Sequence, residues 1–400
     1  MLKCDFKKYV CESLVLKTSD FSDKITSISS EFKSGNLSYW TNENSFVSEE
    51  ELGRIKEVSA YIRNNCDVFI VIGIGGSYMG SKAVIEALKS SFNRKKPEII
   101  YLGIDLSSDY YNEVVDYIKD KEVIVNVISK SGNTLEPSIA FDVIMDVLNS
   151  KYSSEELKKR VIVTTDKETG SLRSLVQKEG FTSFEVPKKI GGRFSVFTPV
   201  GLIPIAVSGI DIDKLLEGFM SGLEYNDEAF LYAALRQILY NEGKFIESFT
   251  IYNPKLTYFT EWLKQLFAET EGKDNKGVLP ISNVNTRDLH SMGQFLQEGH
   301  SIIFETVIKI DKAKDMKLNK HNKTLNEINN LALEKVCVAH EKGNTPSIVI
   351  KVDELNEYTV GEMVRFFITS AIAGALLTDV NPFDQPGVET YKKLIEEGLK

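Results

Sequence analysis

The sequence predicts an α/β protein built from two doubly wound, parallel-rich sheets, with helical segments at both ends. Three observations carry that expectation: short β-branched apolar runs, helix-spaced apolar residues between them, and a second series of the same kind further along. The first series comprises VFIVI (68–72), IIYLGI (99–104), VIVNVIS (123–129) and VIVTT (161–165). Continuous apolar strands of this type suit a parallel sheet covered on both faces. Between them, Met79, Ala83, Val84, Ala87 and Leu88 share one helical face. Ile139, Ala140, Val143, Ile144, Val147 and Leu148 share another, with Pro137 placed for a first turn. Alternating strand and helix is the signature of a doubly wound domain. The second series is SFTIY (248–252), VLPIS (278–282), IIFETVIKI (302–310) and SIVIKV (347–352), with FTEWLKQLFAE and VGEMVRFFITSAIAGALL as helices. These boundaries give an N-terminal helical extension (1–55), a first α/β domain (56–200) and a second (201–400) ending in a helix. Residues 1–50 are polar and mixed, with the composition of a short helix in DKITSISSEFKSGN and no chemistry. The Lys/Asn-rich stretch 312–330 reads as a solvated excursion between strands.

Composition sets outer limits. A chain of 400 residues, 42% apolar and 26% charged, is an ordinary globular sequence large enough for two or three domains. A net charge of −9 argues against a general nucleic-acid or membrane-surface binder, though not against a local anion site. Cys4, Cys11, Cys66 and Cys337 form no CxxC pair, and no His lies at ligand spacing from them. Reduced structural thiols in a cytoplasmic protein, without a metal, follow from that usage. MLKCDFKKYVCESL lacks the apolar centre of a secretory signal. The uncharged run 366–378 is too short to span a bilayer and reads as a buried helix.

Two strand-to-helix junctions are dense in hydrogen-bond donors. VIGIGGSYMG passes through Gly73, Gly75, Gly76 and Ser77; ISKSGNTLEP gathers Ser129, Lys130, Ser131, Gly132, Asn133 and Thr134. Glycines admit a ligand close to the backbone, and free N–H groups at a helix start attract anions. Tyr78 stands where the dinucleotide fingerprint needs its last Gly, and the GK[ST] of a Walker A loop is absent. In a doubly wound sheet such loops share the carboxyl edge of the strands, so together they describe a phosphate cradle. The competing reading is two ordinary turns with N-capping hydroxyls.

Four more segments concentrate functional groups: KKIGGRFSVFTPVG with Arg193, FAETEGKDNKG with Glu269, TRDLHSMGQFLQEG with His290, and NPFDQPGVETYKK with Gln385 and Lys392. With GIGGS and SKSGNT, in this order from residue 73 to 393, they resemble the glucose-6-phosphate isomerase (phosphoglucose isomerase) family in its shorter bacterial form. GGRFS and FDQxGVE…K are specific to that family; GIGGS and SKSGNT are shared more widely among sugar-phosphate isomerase (SIS) domains. Pro386 and Tyr78 stand where other branches carry different residues, and neither removes a functional group.

The resemblance implies two SIS-type domains and a cofactor-free aldose–ketose isomerase that interconverts D-glucose 6-phosphate and D-fructose 6-phosphate, in glycolysis and gluconeogenesis, through a cis-enediolate. Glu269 matches the family's base, since proton transfer between C2 and C1 needs a carboxylate in reach of both carbons. An ordinary charged helix end formed by Glu269, Glu271, Lys273 and Asp274 is the alternative. Arg193 matches the cation that stabilises the enediolate; by itself an Arg in a loop is more often a structural ion pair. His290 matches the ring-opening group, reaching the site from a neighbouring subunit, which implies a homodimer. Lys392, on the polar side of a helix whose apolar face is Val388, Tyr391 and Ile395, matches a residue beside the ring oxygen. Gln385 matches a phosphate-side ligand. Gly76, Ser77, Ser129, Ser131 and Thr134 match the phosphate cradle, with Lys130 contributing its backbone N–H; the role of Glu136 stays open. A non-catalytic SIS-type sugar-phosphate sensor would not need Glu269, Arg193, His290 and Lys392 together. An isomerase that also accepts mannose 6-phosphate is a third reading.

Overall fold

The structure is a computed structural model that describes residues 2–6, 8–92, 96–132 and 134–399, with only the backbone of Glu43. Among these residues ten strands of four or more residues form two sheets: β1 (Leu2–Asp5), β2 (Val68–Ile72), β3 (Glu98–Leu102), β4 (Val123–Ile128), β5 (Val161–Thr165), β6 (Thr182–Glu185), β7 (Ile246–Ile251), β8 (Leu279–Val284), β9 (Ile303–Lys312) and β10 (Ser347–Glu354). The chain divides into two compact units, residues 42–213 and residues 1–41 with 214–400.

In unit 42–213 the strand order is β3-β2-β4-β5-β6, every pair parallel. The chain steps from β2 to β3 on one side, then crosses to β4 on the other. That reversal opens a crevice beyond the carboxyl ends of β2 and β4. Ile72 aligns with Leu102 on one side and Val127 on the other, so both loops start level. Val68, Ile70, Ile72, Val123, Val125 and Val127 bury one face under helices Ser108–Ile118 and Leu135–Lys151. Each fully buried side chain of this kind contributes about 1.5–3 kcal/mol. Helix Pro199–Val207 is buried along its whole length, which marks it as a core element.

In the other unit the order is β1-β10-β9-β7-β8; β1 runs antiparallel to β10 and the rest are parallel. Here β8 lies to one side of β7 and β9 to the other, the same reversal as in the first sheet. Helix Glu357–Leu377, capped reciprocally by Asn356 and Thr359, is the buried helix expected from 366–378, with 94% of its most apolar window buried. Phe367 meets Phe249, Phe259 and Phe267 edge-on around it.

Two features depart from the sequence expectation. The N-terminal residues contribute the edge strand β1 and belong with residues 214–400 rather than forming a separate helical extension. Within 312–330, only part is an excursion: a short ladder joins Lys317–Leu318 to Lys323–Thr324, and Leu325 begins an 18-residue helix capped by Thr324 and Glu327. The apolar stripe of helix Glu389–Gly398 is exposed: Tyr391, Leu394 and Ile395 are 53%, 62% and 44% exposed.

Candidate active site

The two glycine-containing loops leave the carboxyl ends of β2 and β4, the neighbouring strands that flank the crevice. Gly75 sits at φ +56° and Gly132 at φ +76°, left-handed conformations that favour glycine. A methyl group on Gly132 would also lie 2.8 Å from the Leu172 backbone nitrogen. The SKSGNT loop is held from inside: the Gly132 N–H donates to Ser129 Oγ (3.0 Å), the Thr165 hydroxyl donates to the Ser129 carbonyl (2.8 Å), and the Ser171 hydroxyl donates to the Gly132 carbonyl (2.8 Å). Ser129 is buried, Thr134 half-buried and Ser131 exposed. Asn133 lies outside the described residues. Lys130 turns its ammonium to the Lys188 carbonyl at 2.8 Å, so its side chain serves the loop's own structure.

The N-cap side chains of these two loops do not cap their helices. Thr134 occupies the N-cap of helix Leu135–Lys151 and Tyr78 that of helix Met79–Leu88, and neither side chain makes a cap hydrogen bond. Thr134 Oγ1 instead lies 3.5 Å from Ser129 Oγ. Ser77 ends a short 3-10 turn (Gly75–Ser77) just before the helix.

Arg193 belongs to the same unit. Its backbone closes on the first loop: a methyl group added to Gly76 would strike the carbonyl of Gly192 and lie 2.7 Å from the Arg193 nitrogen. The GG of GIGGS and the GG of GGRFS are thus one packing arrangement. The Arg193 side chain is buried, with its guanidinium 4.9 Å from the Phe194 ring centre.

The remaining candidates lie in the other unit. Glu269, half-buried, is two residues from the end of helix Thr257–Glu271 and accepts from Gln265 Nε2 at 3.1 Å. The helix follows β7 and runs back along the sheet. Its last residue, Glu271, is buried at the amino edge, where Arg236 Nη1 reaches it at 2.5 Å and Arg236 Nε reaches Glu247 of β7 at 2.7 Å. Burial pushes the Glu271 carboxyl up and the Arg236 charge opposes that; burial likewise disfavours the Arg236 charge, and the two carboxylates outweigh it. His290 lies past β8, at the carboxyl edge, exposed at the end of a 3-10 turn (Arg287–His290). Asp288 fixes that turn by accepting from the Val284 N–H at 2.7 Å and from two nitrogens of Arg287 at 2.8 Å. Gln385 and Lys392 are exposed, and Lys392 pairs with Glu389 at 3.0 Å.

The sheets therefore bring Gly76, Ser77, Ser129, Lys130, Ser131, Thr134 and Arg193 into one unit, and Glu269, His290, Gln385 and Lys392 into the other. Glu269 and His290 do not meet within theirs. Sequence reasoning missed the Arg236–Glu271 pair, because its partners are separated by 35 residues and nothing in ETEG marks the second Glu as buried.

Comparison with known proteins supplies the family. The family described as phosphoglucose isomerase matches residues 53–399. A curated relative, the glucose-6-phosphate isomerase of Bacillus cereus (strain AH187), is 43% identical over 371 residues, covering 86% of this chain and 82% of its own. A hypothetical protein from Thermus thermophilus superposes with a TM-score of 0.86 at 25% identity, covering 100% of both chains. A glucose-6-phosphate isomerase from Chlamydia trachomatis D/UW-3/Cx superposes with a TM-score of 0.85 at 20% identity, covering 100% of this chain and 88% of that one, a likeness of fold. The SIS-type α/β architecture, the ordered motifs and a match that runs from Gly53 to Leu399 agree: this chain belongs to the phosphoglucose isomerase family.

Proposed function

We propose that this chain interconverts D-glucose 6-phosphate and D-fructose 6-phosphate, a step of glycolysis and gluconeogenesis, in the cytoplasm and without a cofactor. The observation that carries the proposal is the pair of glycine- and hydroxyl-bearing loops at the crevice between β2 and β4, with the Thr134 hydroxyl making no cap bond to its helix, in a chain 43% identical to a curated glucose-6-phosphate isomerase. Backbone N–H groups of Gly76 and Lys130, with the hydroxyls of Ser77, Ser129, Ser131 and Thr134, bind the phosphate, helped by Gln385.

Ring opening comes first. His290, assisted by Lys392, passes a proton to the ring oxygen while the anomeric hydroxyl loses one, and the carbonyl forms. Glu269 then removes the proton from C2 of the open aldose; the C–H electron pair becomes the enediolate double bond. The Arg193 guanidinium balances the oxyanion, an interaction of a type commonly worth about 3–4 kcal/mol. The C2 hydroxyl proton passes to the C1 oxygen, and return of the proton from Glu269 to C1 gives the ketose. A homodimer in which His290 comes from the second subunit is supported by the placement of Glu269 and His290 at opposite edges of one sheet.

The experiment is a coupled assay of the purified protein with fructose 6-phosphate, reading glucose 6-phosphate through its dehydrogenase. Turnover in the presence of EDTA is expected. A folded preparation that forms no glucose 6-phosphate would overturn the assignment.

A further inference from the structure

The turn that ends helix Thr257–Glu271 is gripped on two sides. Residues two apart on a helix point about 200° away from each other. Glu271 is drawn into the core by Arg236, so Glu269 is directed the opposite way. Directly beyond, the chain reverses through Asp274 and Asn275, both at positive φ (53° and 57°). Between helix and reversal stands Lys273, whose side chain is only 8% exposed.

Lys273 does not point to solvent. Its ammonium pairs with Asp384 at 2.9 Å and donates to the carbonyl of Asn381. The loop around it is organised: Asn381 Nδ2 donates to Asp384 Oδ2 at 3.1 Å, and the Phe383 N–H donates to Asn381 Oδ1 at 3.0 Å. Phe383 stacks on Trp40 with ring centres 5.9 Å apart. The Lys273 ammonium holds the Asp384 carboxyl below the usual carboxylate range. Past this loop come Gln385 and then the exposed helix that carries Lys392. The segment with two proposed ligand-handling residues is thus tied down just before it begins, by a lysine four residues from Glu269.

We propose that Lys273 and Asp384 are positioning residues for the isomerisation, a clasp that fixes the turn bearing Glu269 against the segment bearing Gln385 and Lys392. The proposal rests on the assignment of Glu269 as base. The clasp touches no substrate; it sets the placement of groups that do. Misplacement of a reacting group by about 1 Å costs on the order of 100-fold in rate, so a clasp with this role acts on kcat rather than on binding alone.

The test is steady-state turnover of fructose 6-phosphate by Lys273→Met, Lys273→Arg, Asp384→Asn and the Lys273→Met/Asp384→Asn double variant, with thermal melts and Glu269→Gln alongside. Lys273→Met is expected to lower kcat about 10- to 100-fold with KM little changed. Asp384→Asn, at a carboxylate 50% exposed, is expected to stay folded and to lower kcat in the same sense. The double variant should fall no further than Lys273→Met, since both remove one interaction, and Lys273→Arg should recover most of the loss. If Lys273→Met and Asp384→Asn lower the melting temperature but keep kcat within about twofold of wild type, the clasp is structural only and the proposal is overturned. Should Lys273→Met fail to fold, Asp384→Asn decides alone. If Glu269→Gln is inactive while both clasp variants work normally, only the clasp falls; if Glu269→Gln keeps turnover, the base assignment falls and the clasp with it.

Discussion

Glu269 and His290 stand at opposite edges of one sheet, separated by the length of β8, about 20 Å for six residues. No single hexose bridges that span. With the roles proposed above, Glu269 of one chain and His290 of another would have to share each centre.

That relationship predicts complementation. Glu269→Gln and His290→Ala proteins should each be inactive, the first by about 100- to 10,000-fold as expected for a lost general base. Co-expressed, they should form hybrid dimers in which one centre holds both substitutions and the other neither. With random pairing the mixture should recover about one quarter of wild-type activity. Activity that stays at the level of the separate variants would show that both residues serve one chain's own centre.

Gly76→Ala tests the junction of the two GG motifs. The added methyl group meets backbone at Gly192 and Arg193, which cannot swing away as a side chain could. Overpacking of this kind costs about 1–3 kcal/mol. The expected result is a lower melting temperature and a raised KM for fructose 6-phosphate, with weaker competition by inorganic phosphate. Unchanged phosphate competition would separate this junction from anion binding.

Asp288 gives a pH dependence with a defined sign. The Arg287 side chain, and then the Val284 N–H, hold its carboxyl below the usual range. A carboxyl lowered on folding stabilises the fold above its unfolded pKa and stops doing so as the pH falls through its folded one. The melting-temperature gap between wild type and Asp288→Asn should therefore be flat from neutrality to about pH 5, then close below about pH 4. A gap that stays constant at about pH 3 would show that the charge is not what holds the His290 turn.

Arg236→Met should be severe. It leaves Glu247 and Glu271 buried without their shared cation, a loss of about 3–5 kcal/mol, measurable by chemical unfolding followed by the fluorescence of Trp40 and Trp262. Adding Glu247→Gln and Glu271→Gln should restore much of the stability, because it is the unpaired charge that destabilises. If the triple variant is no better than Arg236→Met, packing rather than charge is responsible.

Most of the first sheet was legible because its strands are buried on both faces: β2, β4 and β5 start and end within a residue of the expected runs. β6 was not, since Thr182–Glu185 has one buried side chain, Phe184, at a sheet edge. β1 was illegible for the same reason, and its pairing partner is remote in sequence. The strands of the second sheet were read less cleanly because their cores are polar: Glu247, Ser248, Thr250, Asn283, Glu305 and Thr306 are all buried and bonded to one another or to neighbours. Helix Leu325–Lys342 was announced by Thr324 and Glu327 at capping-box spacing, a signal masked by the lysines and asparagines before it. The two glycine-containing loops were legible as strand-to-helix junctions, because glycine clusters mark where the apolar runs of β2 and β4 end. The clasp was not, since Lys273 and Asp384 look like ordinary surface charge until the loop closes around them.

The antiparallel pairing of β1 with β10 has a consequence for biosynthesis. Residues 42–213 form a continuous unit that can close while later codons are still being read. Asp5, by contrast, finds Lys351 only across 346 positions. At roughly 5–20 residues per second, the first strand waits for its partner for about 20–70 s after it emerges. Four residues long, LKCD offers nascent neighbours little edge to recruit in that interval, and a strand made some 346 residues later covers it.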